Sequence, residues 1–226
     1  MRFNKKTVVI TGGAGHLGRA VAQAFGELGA DLALLDMKEG KTGSHLFLQT
    51  DLTNPESVQS AADRILERFG RIDVLCNIAG AFRMGPPLHE TSDSDWDFLF
   101  DVNAKSVLHA ARAVVPAMLK AGGGKIVNIG AFAAQRGAAN MGAYVASKSA
   151  VIRITETMSA ELREKNINVN CVLPTIIDTP DNRAAMPQGD TRRWVSTQDL
   201  AGIIVFLASD AARAIHGAAI PVTGLS

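Results

Sequence analysis

The sequence predicts a single-domain α/β fold, a doubly wound parallel sheet of about seven strands with helices on both faces. Three observations predict it. Short, nearly all-apolar runs alternate with longer amphipathic ones from end to end, the pattern of a parallel sheet whose crossovers are helices. A glycine-rich turn, Gly12 to Gly18, separates the first apolar run from the first amphipathic one. The chain has 226 residues, 47% hydrophobic and 20% charged, enough for one well-filled core and rather short for two. Residues 1–226 therefore read as one domain.

In order, the β-rich run Thr7 to Thr11 opens the sheet and the amphipathic stretch His16 to Leu28 follows it. Asp31 to Asp36 and His45 to Gln49 read as the next two strands. Asn54 before Pro55 places a capping side chain ahead of a proline at the first helical position, and the helix runs to Phe69. Ile72 to Asn77 is the fourth strand, Asn103 to Lys120 a helix, Lys125 to Ile129 a strand and Tyr144 to Glu164 a long helix. Asn168 to Leu173 is the sixth strand. Ser196 with Asp199 reads as a capping box for the helix Thr197 to Ala208, and Ala218 to Val222 closes the sheet. The least patterned stretches, Ala81 to Asp95 and Pro174 to Val195, follow the fourth and sixth strands. The carboxyl ends of parallel strands line the ligand crevice, so residues 174–195 are the expected substrate loop.

Composition excludes several classes of partner. Lys and Arg total 23 against 22 Asp and Glu, a formal charge of +1, with no basic stripe to track a nucleic acid backbone. No apolar stretch approaches the ~18 residues of a membrane span. The two cysteines, Cys76 and Cys171, sit in apolar runs and read as reduced core thiols of a cytoplasmic protein. No spacing suggests a metal. His16, His45, His89, His109 and His216 show no ligand pattern.

The turn Thr11-Gly12-Gly13-Ala14-Gly15-His16-Leu17-Gly18 lies where backbone must approach a pyrophosphate and a helix N-terminus can receive its charge. A glycine run alone is equally a tight turn. Asp36, however, ends the second strand where a carboxylate accepts from the adenosine ribose hydroxyls. It would repel the 2′-phosphate of NADPH, and Met37 offers no cation to offset this, so NAD, as NADH, is the expected cofactor.

Tyr144 is the only tyrosine, and Lys148, four residues on, leaves the same helix face. By itself such a pair is most often a surface feature. Beside a dinucleotide turn it is an acid–base candidate: an ammonium ~4 to 5 Å from a phenol is worth roughly 3 to 4 kcal/mol at an effective dielectric of about 20, at most two to three pKa units. Lys148 is therefore expected to lower the phenol's pKa.

With these motifs the chain resembles the short-chain dehydrogenase/reductase family, whose fold is Rossmann-type, over essentially its whole length. Tyr144-Val145-Ala146-Ser147-Lys148 matches the Tyr-x-x-x-Lys motif. The resemblance implies that Asp51 and Leu52 meet adenine, and that Asn77, Ala79 and Gly80 stand in the usual Asn-Asn-Ala-Gly segment. It also implies that Asn103 positions a water in the proton relay, and that Pro174, Ile177 and Thr179 hold the nicotinamide carboxamide. Three departures matter. His16 replaces the middle glycine, and Gly15 restores a Gly-x-x-Gly-x-x-Gly spacing. Ile78 replaces the second Asn. Ala131 stands at the place of the active-site serine. The segment from Val172 to Trp194, with Arg183 and Met186, looks like quinonoid dihydropteridine reductases, which share that spacing and that alanine. The C-terminal part, from Phe206, looks like ordinary carbonyl or oxoacyl reductases.

The expected function is hydride transfer from NADH to a conjugated imine or quinone-like acceptor such as quinonoid dihydropterin, with Tyr144, Lys148 and Asn103 catalytic. Ala131, Arg183, Met186 and Trp194 are candidate substrate-pocket residues; Arg183, Met186 and Trp194 are equally readable as a loop packed on the sheet edge. A carbonyl or 3-oxoacyl reductase, or an alcohol dehydrogenase, is the alternative, and a nucleotide-binding regulatory protein without turnover is the alternative from another class. Apolar and small residues on more than one face of the helices Asn103 to Lys120 and Tyr144 to Glu164 suit a homodimer or homotetramer.

Overall fold

The computed structural model describes residues 1–38 and 45–226. Its elements are β1 (Thr7–Thr11), α1 (His16–Glu27), β2 (Asp31–Asp36), β3 (Leu46–Gln49), α2 (Pro55–Phe69), β4 (Val74–Asn77), α3 (Asp93–Phe100), α4 (Ser106–Lys120), β5 (Gly124–Ile129), α5 (Gly142–Leu162), β6 (Ile167–Pro174), β7 (Ile177–Asp178), α6 (Pro180–Ala185), β8 (Val195–Ser196), α7 (Thr197–Leu207) and β9 (Ala219–Val222). Seven strands form one sheet in the order β3-β2-β1-β4-β5-β6-β9, every pair parallel. The winding reverses between β1 and β4, which opens a crevice at their carboxyl ends.

Side chains alternate across the sheet and so build two apolar layers. On one face Val8, Ile10, Leu32 and Leu34 meet Val21 and Phe25 of α1 and Leu200 and Ile204 of α7. On the other, Val9, Leu35, Leu75 and Ile126 meet Ile65 of α2 and Val114 and Met118 of α4. Strands covered on both faces have no polar alternation to show; β1 is buried from end to end.

Caps set the helix ends. Asn54 Oδ1 accepts from Ser57 N at 2.9 Å, and α2 stops at Gly70, whose φ of 75° is left-handed and whose N–H returns to Leu66 O. Ser196 Oγ accepts from Asp199 N at 2.9 Å to start α7. Two regions differ from the sequence expectation. The stretch expected as loop to Asp95 already holds the start of α3, capped by Ser92 accepting from Asp95 N, and a π turn at Asp101–Lys105 joins α3 to α4. The loop 174–195 is pinned at both ends, because β7 pairs with β8, and α6 lies between them.

Candidate active site

The glycine turn is required by contact. A Cβ on Gly18 would lie 2.1 Å from the Gly12 carbonyl oxygen, and one on Gly12, at φ 68°, 2.9 Å from Ala79 Cα. Gly15 is less constrained, its nearest neighbour standing 3.3 Å away. This close approach seats the turn on the β4 end, where Thr11 Oγ1 accepts from the amides of Ile78 and Ala79 at 3.0 and 3.2 Å. The first turn of α1 has no side-chain cap, and the leading amides of a helix, here His16 and Leu17, lack intrahelical acceptors. They suit an anionic group. Asp36 flanks them, accepting from Ala14 N at 3.0 Å and Lys38 N at 3.1 Å, with exposed Met37 beside it. The cradle, the uncapped amides and the strand-end carboxylate fit a dinucleotide.

Further along the same edge, Asp51 accepts from the side chain and backbone of Thr53 at 2.7 and 2.9 Å, which holds its carboxyl below the usual range. Leu52, partly buried, packs on Val58, Ala62 and Ala113. Asn77 closes β4, and its Nδ2 donates to Asn128 Oδ1 at 2.8 Å, with Asn128 Nδ2 donating to Thr155 Oγ1 at 2.9 Å, a buried chain that ties β4 to β5 and α5.

Tyr144 and Lys148 stand one turn apart near the start of α5. Lys148 is buried and its Nζ donates to Ile129 O at 2.8 Å. Burial lowers its pKa to about 8, the nearby Cys171 thiol opposing. Burial likewise pushes Tyr144 up to about 12. The expectation that the ammonium lowers the phenol is thus reversed in this state, because the ammonium is bonded to a strand-end carbonyl and desolvation dominates.

Asn103 lies in the π turn, a feature frequent at functional sites, and is 1% exposed. Its Oδ1 accepts from Ala81 N at 2.8 Å, and its Nδ2 donates to Ala81 O and Ser147 Oγ, both at 3.0 Å. The side chain clamps the loop after β4 to α5. Gly80 permits this clamp: a Cβ would lie 2.9 Å from both Asn103 Oδ1 and Lys148 Nζ.

Ala131 is buried in extended backbone, in the cluster against which Tyr144 packs. The neighbouring hydroxyls are occupied, Ser147 donating to Tyr144 O and Ser149 to Ala134 O. One residue was not foreseen. Phe82, 56% exposed, meets the Tyr144 ring edge to face at 4.9 Å; an aromatic just past Gly80 was its only cue. A cavity of about 100 Å³ beside them is bordered by Met84, Pro86 and Met141.

In the loop over the site, Pro174 ends β6 and Ile177 lies in β7. Thr179 Oγ1 caps α6 by accepting from Asn182 N. Arg183 forms a two-point ion pair with Asp178 at 2.6 and 2.7 Å, and Met186 is partly exposed. Trp194 is buried and packs against Gly189 within the loop, the packed reading of the two that its sequence allowed. His16 Nε2 lies 3.4 Å from Asp181 Oδ2, so α6 reaches the glycine turn.

A family model described as enoyl-(acyl carrier protein) reductase matches residues 12–224. The chain is 35% identical to D-threitol dehydrogenase of Mycolicibacterium smegmatis, over 99% of the chain and 93% of the relative. It is 31% identical to a 3-oxoacyl-[acyl-carrier-protein] reductase of Thermotoga maritima, over 99% and 98%. The structure of an NAD⁺-bound xylitol dehydrogenase superposes with a TM-score of 0.90 at 27% identity, over 99% of this chain and all of that one. Fold, glycine cradle, Tyr-x-x-x-Lys pair and relatives agree: the chain belongs to the short-chain dehydrogenase/reductase family and is an NAD(P)-dependent oxidoreductase.

Proposed function

We propose that this protein is an NADH-dependent reductase whose acceptor is a conjugated, electron-poor ring of the imine or quinone kind, quinonoid dihydropterin among them. The observation that carries the reading is Ala131. A ketone reductase needs a second donor on the carbonyl oxygen as charge develops, and losing such a donor costs on the order of 3 to 4 kcal/mol. Here that position is a buried methyl group, and the nearby serine hydroxyls are bonded elsewhere. A conjugated acceptor takes hydride without that donor, and the exposed Phe82 ring offers a flat face to it.

When bound, the nicotinamide supplies the hydride. The chain does the rest. The α1 amides hold the pyrophosphate, Asp36 accepts from the adenosine ribose and disfavours a 2′-phosphate, and Asp51 borders adenine. Thr179, whose O–H is left to donate, meets the carboxamide beside Pro174 and Ile177. Tyr144, protonated at neutral pH as any phenol is and held further in that form by burial, is the acid that delivers a proton to the acceptor. Lys148 holds the nicotinamide ribose, and Asn103 fixes the loop and helix between which these groups meet.

The second reading, oxidoreduction of secondary alcohols and ketones, is favoured by the names of the relatives, which include polyol dehydrogenases and an oxoacyl reductase. The two readings separate in kcat/KM with NADH on one preparation, for quinonoid dihydropterin against cyclic and aliphatic ketones. The pterin should lead by a hundredfold or more, and Ala131→Ser should raise ketone turnover. Ketones ahead in the wild type establish the second reading. Absence of turnover on every acceptor, with NADH bound, leaves the regulatory one.

A further inference from the structure

The amino ends of the strands, opposite the candidate active site, enclose a second cavity of about 390 Å³, a size usual for small-ligand sites. Its charges do not balance. Four side-chain cations, Arg2, Lys6, Arg71 and Lys125, line it with two carboxylates, Asp73 and Asp210, an excess of two positive charges.

The carboxylates do not neutralise the cations evenly. Asp73 is saturated: it accepts from Lys6 Nζ at 3.0 Å, Arg71 Nε at 2.7 Å and Thr7 N at 3.0 Å. Its burial would raise its pKa, but these bonds outweigh that and keep it ionised. Lys125 has a single neutral partner, Asn168 Oδ1 at 2.7 Å, and among the described residues no carboxylate within ion-pair distance. Burial lowers its pKa, and repulsion from Lys6 adds to this while Asp210 opposes. Two ammonium groups that repel each other across a cavity, with protons left to donate, are a receptor for an oxyanion. The backbone contributes little, since the amides of Gly122, Gly123 and Gly124 are bonded to Leu119, Met118 and Asn166 carbonyls.

We propose that this cavity binds a phosphate-type dianion, free or as a phosphomonoester, held between Lys6 and Lys125. A dianion matches the excess charge, and the volume leaves room for a small organic body on the phosphate. The site lies at the other end of the sheet from the glycine turn, so it and the dinucleotide are held at once.

The test is a titration of the full chain with inorganic phosphate and with glycerol phosphate, followed by calorimetry and thermal unfolding. Saturating NADH keeps the glycine turn filled, and sodium chloride holds ionic strength constant. Saturable binding is expected. Lys125→Met and Lys6→Met should each weaken it at least tenfold, and Asp210→Asn should tighten it severalfold, with NADH turnover unchanged in all three. Glycerol phosphate binding tenfold tighter than phosphate identifies a phosphomonoester; equal affinities identify the free ion. A phosphate response that chloride reproduces, or that survives undiminished in both lysine variants, overturns the proposal. Should the lysine variants fail to fold, Asp210→Asn decides, because unchanged or weaker binding there is equally fatal.

Discussion

Burial acts on Tyr144 and Lys148 in the same direction chemically, favouring the neutral form of each, with opposite consequences for pH. Lys148 has its pKa near 8 in the folded chain against 10.5 ordinarily, so between these values the unfolded state binds the extra proton. Stability therefore gains from this group as pH rises from about 8 to 10.5, by at most about 3 kcal/mol. Tyr144, raised from 10 to about 12, takes stability away as pH rises through that later window. Urea unfolding of the cofactor-free chain across pH 7 to 10 should show the gain in the wild type, and Lys148→Met should lack it. Catalysis depends on the phenol itself. Tyr144→Phe should lower turnover by roughly a hundredfold to ten-thousandfold while NADH binding by fluorescence stays within a few-fold; activity near wild type would mean that another group delivers the proton. Asp36→Ser should raise efficiency with NADPH relative to NADH by about tenfold or more, since the repelling carboxylate is gone.

At the scale of elements, α1 docks on the sheet through a buried aromatic pair. Phe25 is fully buried and meets Phe3 edge to face at 4.9 Å, so Phe25→Ala should cost about 3 to 5 kcal/mol in chemical denaturation. Asn54→Ala, which removes one cap, should cost only about 1 kcal/mol. The same contrast explains what was legible beforehand. β1, β2 and α2 have the residue limits read from the sequence, because a doubly buried strand is continuously apolar and a capped helix carries its own start signal. α3 was hidden. Its eight residues, Asp93–Phe100, are too few to show a period, and its Ser92 cap sits inside a polar stretch. The site was legible where chemistry is local, as in the glycine turn and the Tyr144 and Lys148 pair. It was not legible where function depends on partners distant in sequence. The side chains of Asn77 and Asn103 are held by Asn128, Ala81 and Ser147, 22 to 51 residues away, and no spacing reveals that Trp194 packs against Gly189.

The whole molecule is polarised along its strands, with the dinucleotide cradle at the carboxyl ends and the cationic cavity at the amino ends. Its helical flanks are unevenly covered. Leu108 and Leu119 of α4 remain about two-fifths exposed, as suits a surface that meets a second copy, and light scattering at micromolar concentration should return a dimer or tetramer; a monomer there contradicts this assembly. The clamp at Asn103 has one more consequence, visible in deuterium. The Ala81 amide belongs to a loop, yet it is donated to a side chain that is 1% exposed. Such an N–H exchanges only when its surroundings open. In a residue-resolved exchange experiment Ala81 should therefore remain protonated as long as the amides of β4, while its neighbours from Arg83 to Met84 exchange early, making one slow amide in a fast loop a clock for the opening of the site.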